Sequence, residues 1–252
     1  MDLFYREQGT GTPIIILHGF LGSCDNWLTL GKRFAEAHKV YLVDQRNHGR
    51  SGHADAFDYD ILAEDLKAFM ALHAIEKPVI IGHSMGGKTA MQFAMKYPDQ
   101  LEKLIVVDIA PKQYKPHHQT ILKGLNSIDL QTLKSRGEAD KLLSGYIPEL
   151  PVRQFLLKNL YRNDEGGFSW RMNLPVLTEK VGNVVAVTDT GQTVNLPTLF
   201  IRGGNSNYIL DTDFALIQRL FAQATLTTID GAGHWVHAEK PNEFVEAVNQ
   251  FV

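Results

Sequence analysis

Residues 78–87 read Pro-Val-Ile-Ile-Gly-His-Ser-Met-Gly-Gly, and this stretch is the strongest indication of the fold. An apolar run precedes the glycine-flanked Ser84, and a helical pattern over residues 85–97 follows it. The order strand, G-x-S-x-G turn, helix is the context in which a serine nucleophile is exposed at the edge of a sheet. Gly82 and Gly86 fit such a turn because they have no Cβ to clash with neighbouring backbone. The sequence therefore predicts Ser84 as a nucleophile at a helix N-terminus, where an oxyanion is favoured.

Similar apolar runs on both sides of this stretch indicate a parallel sheet. They are rich in β-branched residues and do not alternate with polar ones, as is typical of strands buried on both faces. Helical patterns lie between them, so we predict an α/β fold with a mostly parallel central sheet flanked by helices. The predicted strands are residues 13–17, 40–44, 78–83, 104–107, 197–202 and 226–230, and the predicted helices are 61–72, 85–97 and 243–251.

Residues 111–195 interrupt this alternation. Five prolines punctuate the segment, apolar residues recur at helical spacing in 122–133 and 155–160, and no strand run separates them. We therefore predict one core domain, formed by residues 1–110 and 196–252, with residues 111–195 inserted as a helical lid.

The composition excludes several classes of protein. The 252 residues have a net charge of −3, without the basic excess of a nucleic-acid binder or a polybasic cluster for a membrane surface. The single cysteine, Cys24, forms neither an internal disulfide nor a cysteine zinc cluster. The N-terminal residues lack the pattern of a secretory signal, and the apolar runs are far shorter than the ~20 residues of a membrane span. We expect a cytoplasmic monomer or homodimer that acts on a small molecule, without cofactor, metal, nucleic acid or membrane.

A serine hydroxyl needs a base within hydrogen-bond reach, and His234 is the predicted base. It lies in the sequence Gly-Ala-Gly-His-Trp directly after the last predicted strand, at the sheet edge where Ser84 is expected. His237 could pair with it as a metal ligand, but two histidines without a further ligand make a weak zinc site. We predict that His237 packs or faces solvent.

The acid of the triad is expected between residues 84 and 234, in the order nucleophile, acid, histidine. The loop after strand 197–202 contains no carboxylate. Asp108 follows strand 104–107 at the same edge as Ser84, and a carboxylate there is costly to bury unless it is paired. Asp211 and Asp213 are expected to cap the next helix. Asp108 is therefore the preferred acid, with Asp211 and Asp213 as alternatives.

Two backbone N–H groups must face the developing oxyanion. Met85, directly after the nucleophile, is predicted to supply one, and Phe20, in the loop after strand 13–17, the other. His18 is expected to fix this loop by hydrogen bonds rather than act as a base. Arg46 and His48, in the polar turn after the second predicted strand, are likewise expected to hold loops together.

Six segments resemble the α/β-hydrolase fold proteins and, more narrowly, the YbfF-type esterases of bacteria and their mitochondrial relatives. They are HGFLGS (18–23), DQRNHGRS (44–51), GHSMGG (82–87), VDIAP (107–111), GGNS (203–206) and GAGHWVHAEKP (231–241). The resemblance covers essentially the whole chain. It matches Ser84, Asp108 and His234 to the family's nucleophile, acid and histidine. It implies hydrolysis of carboxylic esters or thioesters, with acyl-CoA as a candidate natural substrate.

The predicted substrate-binding residues come from the lid and from positions next to the motifs. They are Trp170, Phe155, Lys88 and Trp235. Leu122 and Leu125 in the lid could also shape an acyl site, and the alternative is that the lid's apolar residues form its own core. An anionic CoA ester would need local cations such as Lys88 or Arg202, because the net charge provides no large basic field.

Two other functions use the same scaffold. A carbon–carbon lyase of the menaquinone-pathway type has a similar HGF motif near the start of its sequence and a Ser-Met-Gly-Gly turn. Lys88, however, stands where those enzymes carry an arginine for substrate carboxylates, and the two cations are not interchangeable at such a site. A hydrolase-fold receptor keeps the triad, binds a small ligand and turns it over slowly. A haloalkane dehalogenase is excluded, because its nucleophile would be Asp where Ser84 stands.

Overall fold

In a computed structural model of the chain, residues 1–188 and 191–252 are described, and they form nine strands and eleven α-helices. The strands are β1 (Tyr5–Gln8), β2 (Pro13–Leu17), β3 (Lys39–Val43), β4 (Val79–His83), β5 (Lys103–Val107), β6 (Leu160–Arg162), β7 (Phe168–Trp170), β8 (Thr198–Gly203) and β9 (Ala224–Ile229). The helices are α1 (Leu28–Phe34), α2 (Tyr59–Leu72), α3 (Met85–Lys96), α4 (Gln119–Asn126), α5 (Arg136–Ser144), α6 (Leu150–Leu157), α7 (Leu174–Glu179), α8 (Val181–Val184), α9 (Phe214–Leu220), α10 (Val236–Glu239) and α11 (Pro241–Phe251).

Seven strands form one sheet in the order β1-β3-β2-β4-β5-β8-β9. β1 runs antiparallel to β3, and the other neighbouring strands are parallel, which confirms the predicted mostly parallel sheet. His83 pairs with Val107, and Val107 pairs with Ile201. Ser84 follows β4 and Asp108 follows β5, so the two residues lie side by side at the same edge of the sheet.

Helices cover both faces of the sheet, which explains why its strands are apolar throughout. In β2, Ile14 and Ile16 belong to an apolar cluster shared with α1 and α11. Ile15 and Leu17 belong to the opposite cluster, shared with α2 and α3. All four side chains are at most 1% exposed, and burying each contributes roughly 1.5–3 kcal/mol.

The predicted core helices are confirmed to within two residues at each end. α2 begins after Asp58, whose carboxylate accepts a hydrogen bond of 2.9 Å from the N–H of Ile61. α3 ends shortly before Pro98, because the residue before a proline disfavours helical backbone. α11 begins at Pro241, a position where the missing N–H costs no helical bond. Among the described residues, no helix is long and apolar enough to cross a membrane.

The lid segment (residues 111–195) contains α4 to α8 and a two-stranded antiparallel sheet of β6 and β7; residues 189 and 190 lie outside the described residues. Its buried side chains form a third apolar cluster, which also includes Phe20, Tyr59 and Met85 of the core. These two short strands were not predicted, because three-residue strands are too short to give a periodic pattern. The boundaries drawn at residues 111 and 195 stay predictions.

Other differences from the sequence-based elements have local causes. The helix predicted over 122–133 ends at Asn126, and the following turn is held by Asp129, whose carboxylate accepts from the N–H of Gln131 at 3.0 Å. The pattern over 155–160 belongs partly to α6 and partly to β6. β1 was not predicted, because its half-buried edge position gives no apolar run.

Candidate active site

Ser84 occupies a strained turn between β4 and α3. Its backbone has φ 52° and ψ −116°, a conformation that a residue with a side chain adopts only when its surroundings enforce it. A Cβ on Gly82 would lie 2.2 Å from the carbonyl oxygen of Gly86, and a Cβ on Gly86 would lie 2.4 Å from that of Leu17. Both glycines are therefore required by close backbone approach, as the motif predicts.

Asp108 follows β5 and contacts His234. Its Oδ2 atom lies 2.7 Å from Nδ1 of His234, and the carboxylate is fully buried. Oδ1 accepts a hydrogen bond from the N–H of Gly203 at 3.1 Å, and Oδ2 also accepts from Oγ of Ser206 at 2.5 Å. These three donors satisfy a buried carboxylate that would otherwise be costly, and they orient it toward the imidazole.

The alternative acids are engaged elsewhere. Oδ1 of Asp211 pairs with Arg202 at 2.7 Å. Oδ2 of Asp213 accepts from Nζ of Lys112 at 2.5 Å and from the N–H of Leu210 at 2.8 Å, which is the cap contact expected of it. The structure thus brings Asp108, and neither of the alternatives, to His234.

Ser84 and His234 line one cavity of about 540 Å³ between the sheet edge and the lid segment. No hydrogen bond among the described residues joins Oγ of Ser84 to His234, and catalytic hydrogen bonds commonly tighten only when substrate is bound. The cavity is of the size usual for small-molecule sites.

The two predicted oxyanion donors flank Ser84. Met85 is the first residue of α3, and its N–H therefore has no partner within the helix. The loop that carries Phe20 passes close to the serine, because a Cβ on Gly19 would lie 3.3 Å from Cβ of Ser84. The N–H of Phe20 makes no backbone hydrogen bond to another described residue.

Buried polar side chains hold this loop in place. His18 accepts at Nε2 from the N–H of Gln45 at 3.0 Å, and His48 accepts at Nε2 from the N–H of Leu21 at 3.2 Å. Arg46 forms an ion pair with a buried carboxylate of α2 at 2.5 Å. Burial lowers the pKa of His18 to about 4 and that of His48 to about 3, so both rings are neutral. The predicted loop-holding roles are confirmed.

Two further histidines pack beneath His234. Nε2 of His83 donates to the carbonyl oxygen of His234 at 2.9 Å, and burial lowers the pKa of His83 well below its usual value. His237 stacks on Trp27 with ring centroids 4.0 Å apart, so it packs, as predicted. Within residues 1–188 and 191–252, no group of three or more metal-ligating side chains could hold an ion.

Two of the four predicted substrate-binding residues line the cavity. Phe155 of α6 and Trp235 form part of its wall, with ring centroids 5.9 Å apart. Trp170 does not line it; this residue ends β7, opposite Leu160, and packs in the lid's own cluster. The remaining wall is mainly apolar, and it includes Leu21, Ile121, Ile147, Val152 and Leu156.

The prediction that Lys88 binds substrate was wrong. Its side chain is fully buried, away from the cavity, because its Nζ donates to the carbonyl oxygens of Lys112, at 2.8 Å, and of Ala186. Burial lowers the pKa of Lys88 to about 7. Arg202 pairs with Asp211 and is not among the residues that line the cavity.

Leu122 and Leu125 are buried in the lid cluster, which agrees with the alternative that they form its core. Tyr208, His117 and His118 line the cavity and were not singled out from the sequence. For Tyr208 a signal existed, since it lies in the loop after β8, at the same sheet edge as Ser84.

The whole chain is similar to known esterases. The profile of a family described as alpha/beta hydrolase fold matches residues 12–241. The sn-1-specific diacylglycerol lipase ABHD11 of Mus musculus is 38% identical over 97% of this chain and 82% of its own length. Esterase YbfF of Escherichia coli is 34% identical over 98% of this chain and 95% of its own. A solved marine microorganism esterase is 43% identical, covers 100% of this chain and 99% of its own, and superimposes with a TM-score of 0.96.

Proposed function

Because the chain belongs to the α/β-hydrolase fold family, we propose that it hydrolyses carboxylic esters through a triad of Ser84, His234 and Asp108. The observation that carries this proposal is the 2.7 Å contact between Asp108 and His234, made at the sheet edge where Ser84 occupies a strained turn. The relatives named above are esterases and a lipase, which supports the same reaction class.

Catalysis begins with Ser84. Its Oγ attacks the ester carbonyl carbon while Nε2 of His234 takes the hydroxyl proton. Asp108 accepts from Nδ1 of His234, which holds the proton on that nitrogen and leaves Nε2 free to act as the base. His234 then returns the proton to the departing alcohol, and an acyl group remains on Ser84. Water, deprotonated by His234, releases the acid and restores the serine.

The negative charge on the carbonyl oxygen is stabilised by the N–H groups of Phe20 and Met85. The first lies in a loop fixed by His18 and His48, and the second opens α3, so both are oriented before substrate arrives. Preorganised donors of this kind account for about 10²–10³-fold in rate each.

The cavity favours esters whose acyl and alcohol groups are uncharged. No Lys or Arg is among the described residues that line it, and its one carboxylate is Glu149. The same chemistry cleaves thioesters, but the phosphates of an acyl-CoA would have to lie outside the cavity, since Lys88 and Arg202 are engaged elsewhere. We therefore place uncharged esters before acyl-CoA as substrates.

The same observations weaken the lyase alternative. A substrate carboxylate would need a cation in the cavity, and Lys88 is bound to two backbone carbonyls instead.

Turnover distinguishes an esterase from a receptor that hydrolyses its ligand slowly. Steady hydrolysis of many equivalents of a p-nitrophenyl ester per protein molecule favours the enzyme, and a single burst favours the receptor.

Hydrolysis of p-nitrophenyl esters by the Ser84→Ala variant tests the proposal. We expect the variant to keep the circular dichroism spectrum of the wild-type protein and to lose more than about 10³-fold in kcat/KM. An unchanged rate in the folded variant contradicts the proposal.

A further inference from the structure

The ring of Tyr208 lies parallel to the imidazole of His234. The ring centroids are 3.8 Å apart and the planes are inclined by 15°. Two other rings contact the imidazole at steeper angles, His83 at 44° and Trp235 at 62°. Tyr208 therefore covers one face of the imidazole, whereas the other rings meet it at an angle.

Tyr208 is itself held by both the core and the lid segment. Its N–H donates to Oγ of Ser206 at 3.2 Å, and its carbonyl oxygen accepts from the hydroxyl of Tyr114 at 2.7 Å. Its own hydroxyl lies 2.6 Å from Nε2 of His117. Ser206 in turn donates to Asp108, so the ring is fixed relative to the carboxylate that orients His234.

The direction of the bond between Tyr208 and His117 follows from the chemistry of the groups. Nδ1 of His117 lies 2.9 Å from the carbonyl oxygen of Lys115, which only accepts, so Nδ1 carries the proton. Nε2 is then the ring atom that accepts from the hydroxyl of Tyr208. Burial raises the pKa of Tyr208 to about 12, so its hydroxyl keeps its proton and donates to His117.

A parallel ring has two physical effects on the imidazole. The bond to Asp108 fixes one atom of His234 but leaves the ring free to swing about that contact, and a second ring against its face restricts the swing. When His234 takes the proton of Ser84 it becomes a cation, and a cation over an aromatic face is attracted by the ring quadrupole. The first effect keeps Nε2 aimed at Ser84, and the second favours the transition state.

We infer that Tyr208 is a positioning residue, whose ring orients His234 and stabilises its cationic form, and that His117 ties this ring to the lid segment. The inference rests on the proposed ester hydrolysis and deepens it. It links residues 111–195 to the reaction through the chain His117, Tyr208, His234 rather than through contact with substrate alone.

The test compares Tyr208→Phe, which keeps the ring, with Tyr208→Leu, which keeps apolar bulk without it, in p-nitrophenyl ester hydrolysis. Because the Phe variant keeps the ring but loses the hydrogen bond to His117, we expect it to lose about twofold in kcat. The Leu variant should lose about 3- to 30-fold in kcat with KM changed less than about twofold. Equal kcat in the two variants, or a loss confined to KM, overturns the inference. If the Leu variant does not fold by circular dichroism, Tyr208→Met replaces it under the same criteria.

The link to the lid segment is tested by a double-mutant cycle. His117→Ala and Tyr208→Phe each remove the same hydrogen bond, so in urea denaturation the double variant should lose less unfolding free energy than the sum of the two single losses. Independent, additive effects overturn the link. If the wild-type protein hydrolyses no p-nitrophenyl ester, the proposed function itself is contradicted. That result is distinct from those that overturn the inference about Tyr208.

Discussion

Nδ1 of His234 lies 2.7 Å from Oδ2 of Asp108, although the two residues are 126 positions apart in the sequence. The sheet brings them together, because β5 and β9 end at the same edge and both residues follow those ends. Asp108 is also in a left-handed backbone conformation, with φ 50°, so its side chain leaves the strand at a sharp turn. The imidazole is thereby oriented by a carboxylate that Gly203 and Ser206 also hold by hydrogen bonds.

The first prediction concerns the identity of the acid. Asp108→Asn presents an amide in place of the acceptor, so the imidazole takes the wrong tautomer and kcat should fall by about 10³–10⁴-fold. Asp211→Asn is the matched control, because Asp211 pairs with Arg202 and should leave kcat within about threefold. Both are measured with a p-nitrophenyl ester. Loss of activity in the Asp211 variant alone would show that the acid is misassigned.

The second prediction concerns the turn at Ser84. Gly82→Ala places a Cβ 2.2 Å from a backbone oxygen that cannot move aside without displacing α3, so we expect a loss of about 1–3 kcal/mol or more in unfolding free energy. Gly182→Ala in α8 is the control, since no atom lies within 4 Å of its added Cβ. Urea denaturation measures both. Similar stability of the two variants would mean that the close approach at Gly82 is relieved at no cost.

The third prediction concerns stability at acid pH. Burial lowers the pKa of His237 from 6.5 to about 3. Between these two pH values His237 is protonated in the unfolded chain and neutral in the folded protein. The contribution of His237 to the free energy of unfolding is fully present above pH 6.5. It decreases as the pH falls, by at most about 1.4 kcal/mol per pH unit. His237→Phe keeps a ring on Trp27 and should make the decrease between pH 6 and 4 less steep.

Urea denaturation at several pH values measures this slope. His53→Gln is the control for the removal of a histidine, because that ring is exposed. An identical slope in the His237 variant and the wild-type protein would show that His237 does not contribute to the acid sensitivity.

The fourth prediction separates the cavity wall from the lid's own core. Phe155→Ala enlarges the cavity and removes apolar contact, so kcat/KM for a p-nitrophenyl hexanoate should fall about tenfold or more. Trp170→Ala should destabilise the lid but leave kcat/KM of the folded variant within about threefold, because Trp170 does not line the cavity. A larger loss of kcat/KM in the Trp170 variant would reverse the assignment.

The position of Asp108 near Ser84 and His234 follows from the sequence through one rule. Parallel strands end at a common edge, so a serine, an aspartate and a histidine that each follow a strand are expected near one another. The same rule places the loop of Tyr208 at this edge, but it does not predict that Tyr208 stacks on His234, because the stacking depends on how residues 204–208 fold back.

Side-chain direction was the part that the sequence left open. Lys88 lies one helical turn from Ser84, yet its side chain is directed to carbonyls of the lid segment rather than into the cavity. The direction of a side chain on a helix depends on what packs against it, and the lid's arrangement was not predicted. Trp170 was misplaced for a related reason, since it lies in a strand of three residues.

Reaction with an uncharged p-nitrophenyl phosphonate tests whether Ser84 is an activated nucleophile. Attack by Oγ at phosphorus releases p-nitrophenolate and leaves the phosphonyl group on the serine, which peptide mass spectrometry locates. We predict one equivalent of p-nitrophenolate, label confined to Ser84, matching loss of esterase activity, and labelling slowed at least about 10²-fold in His234→Ala. Label on another residue, or full esterase activity with Ser84 labelled, would show that Ser84 is not the nucleophile.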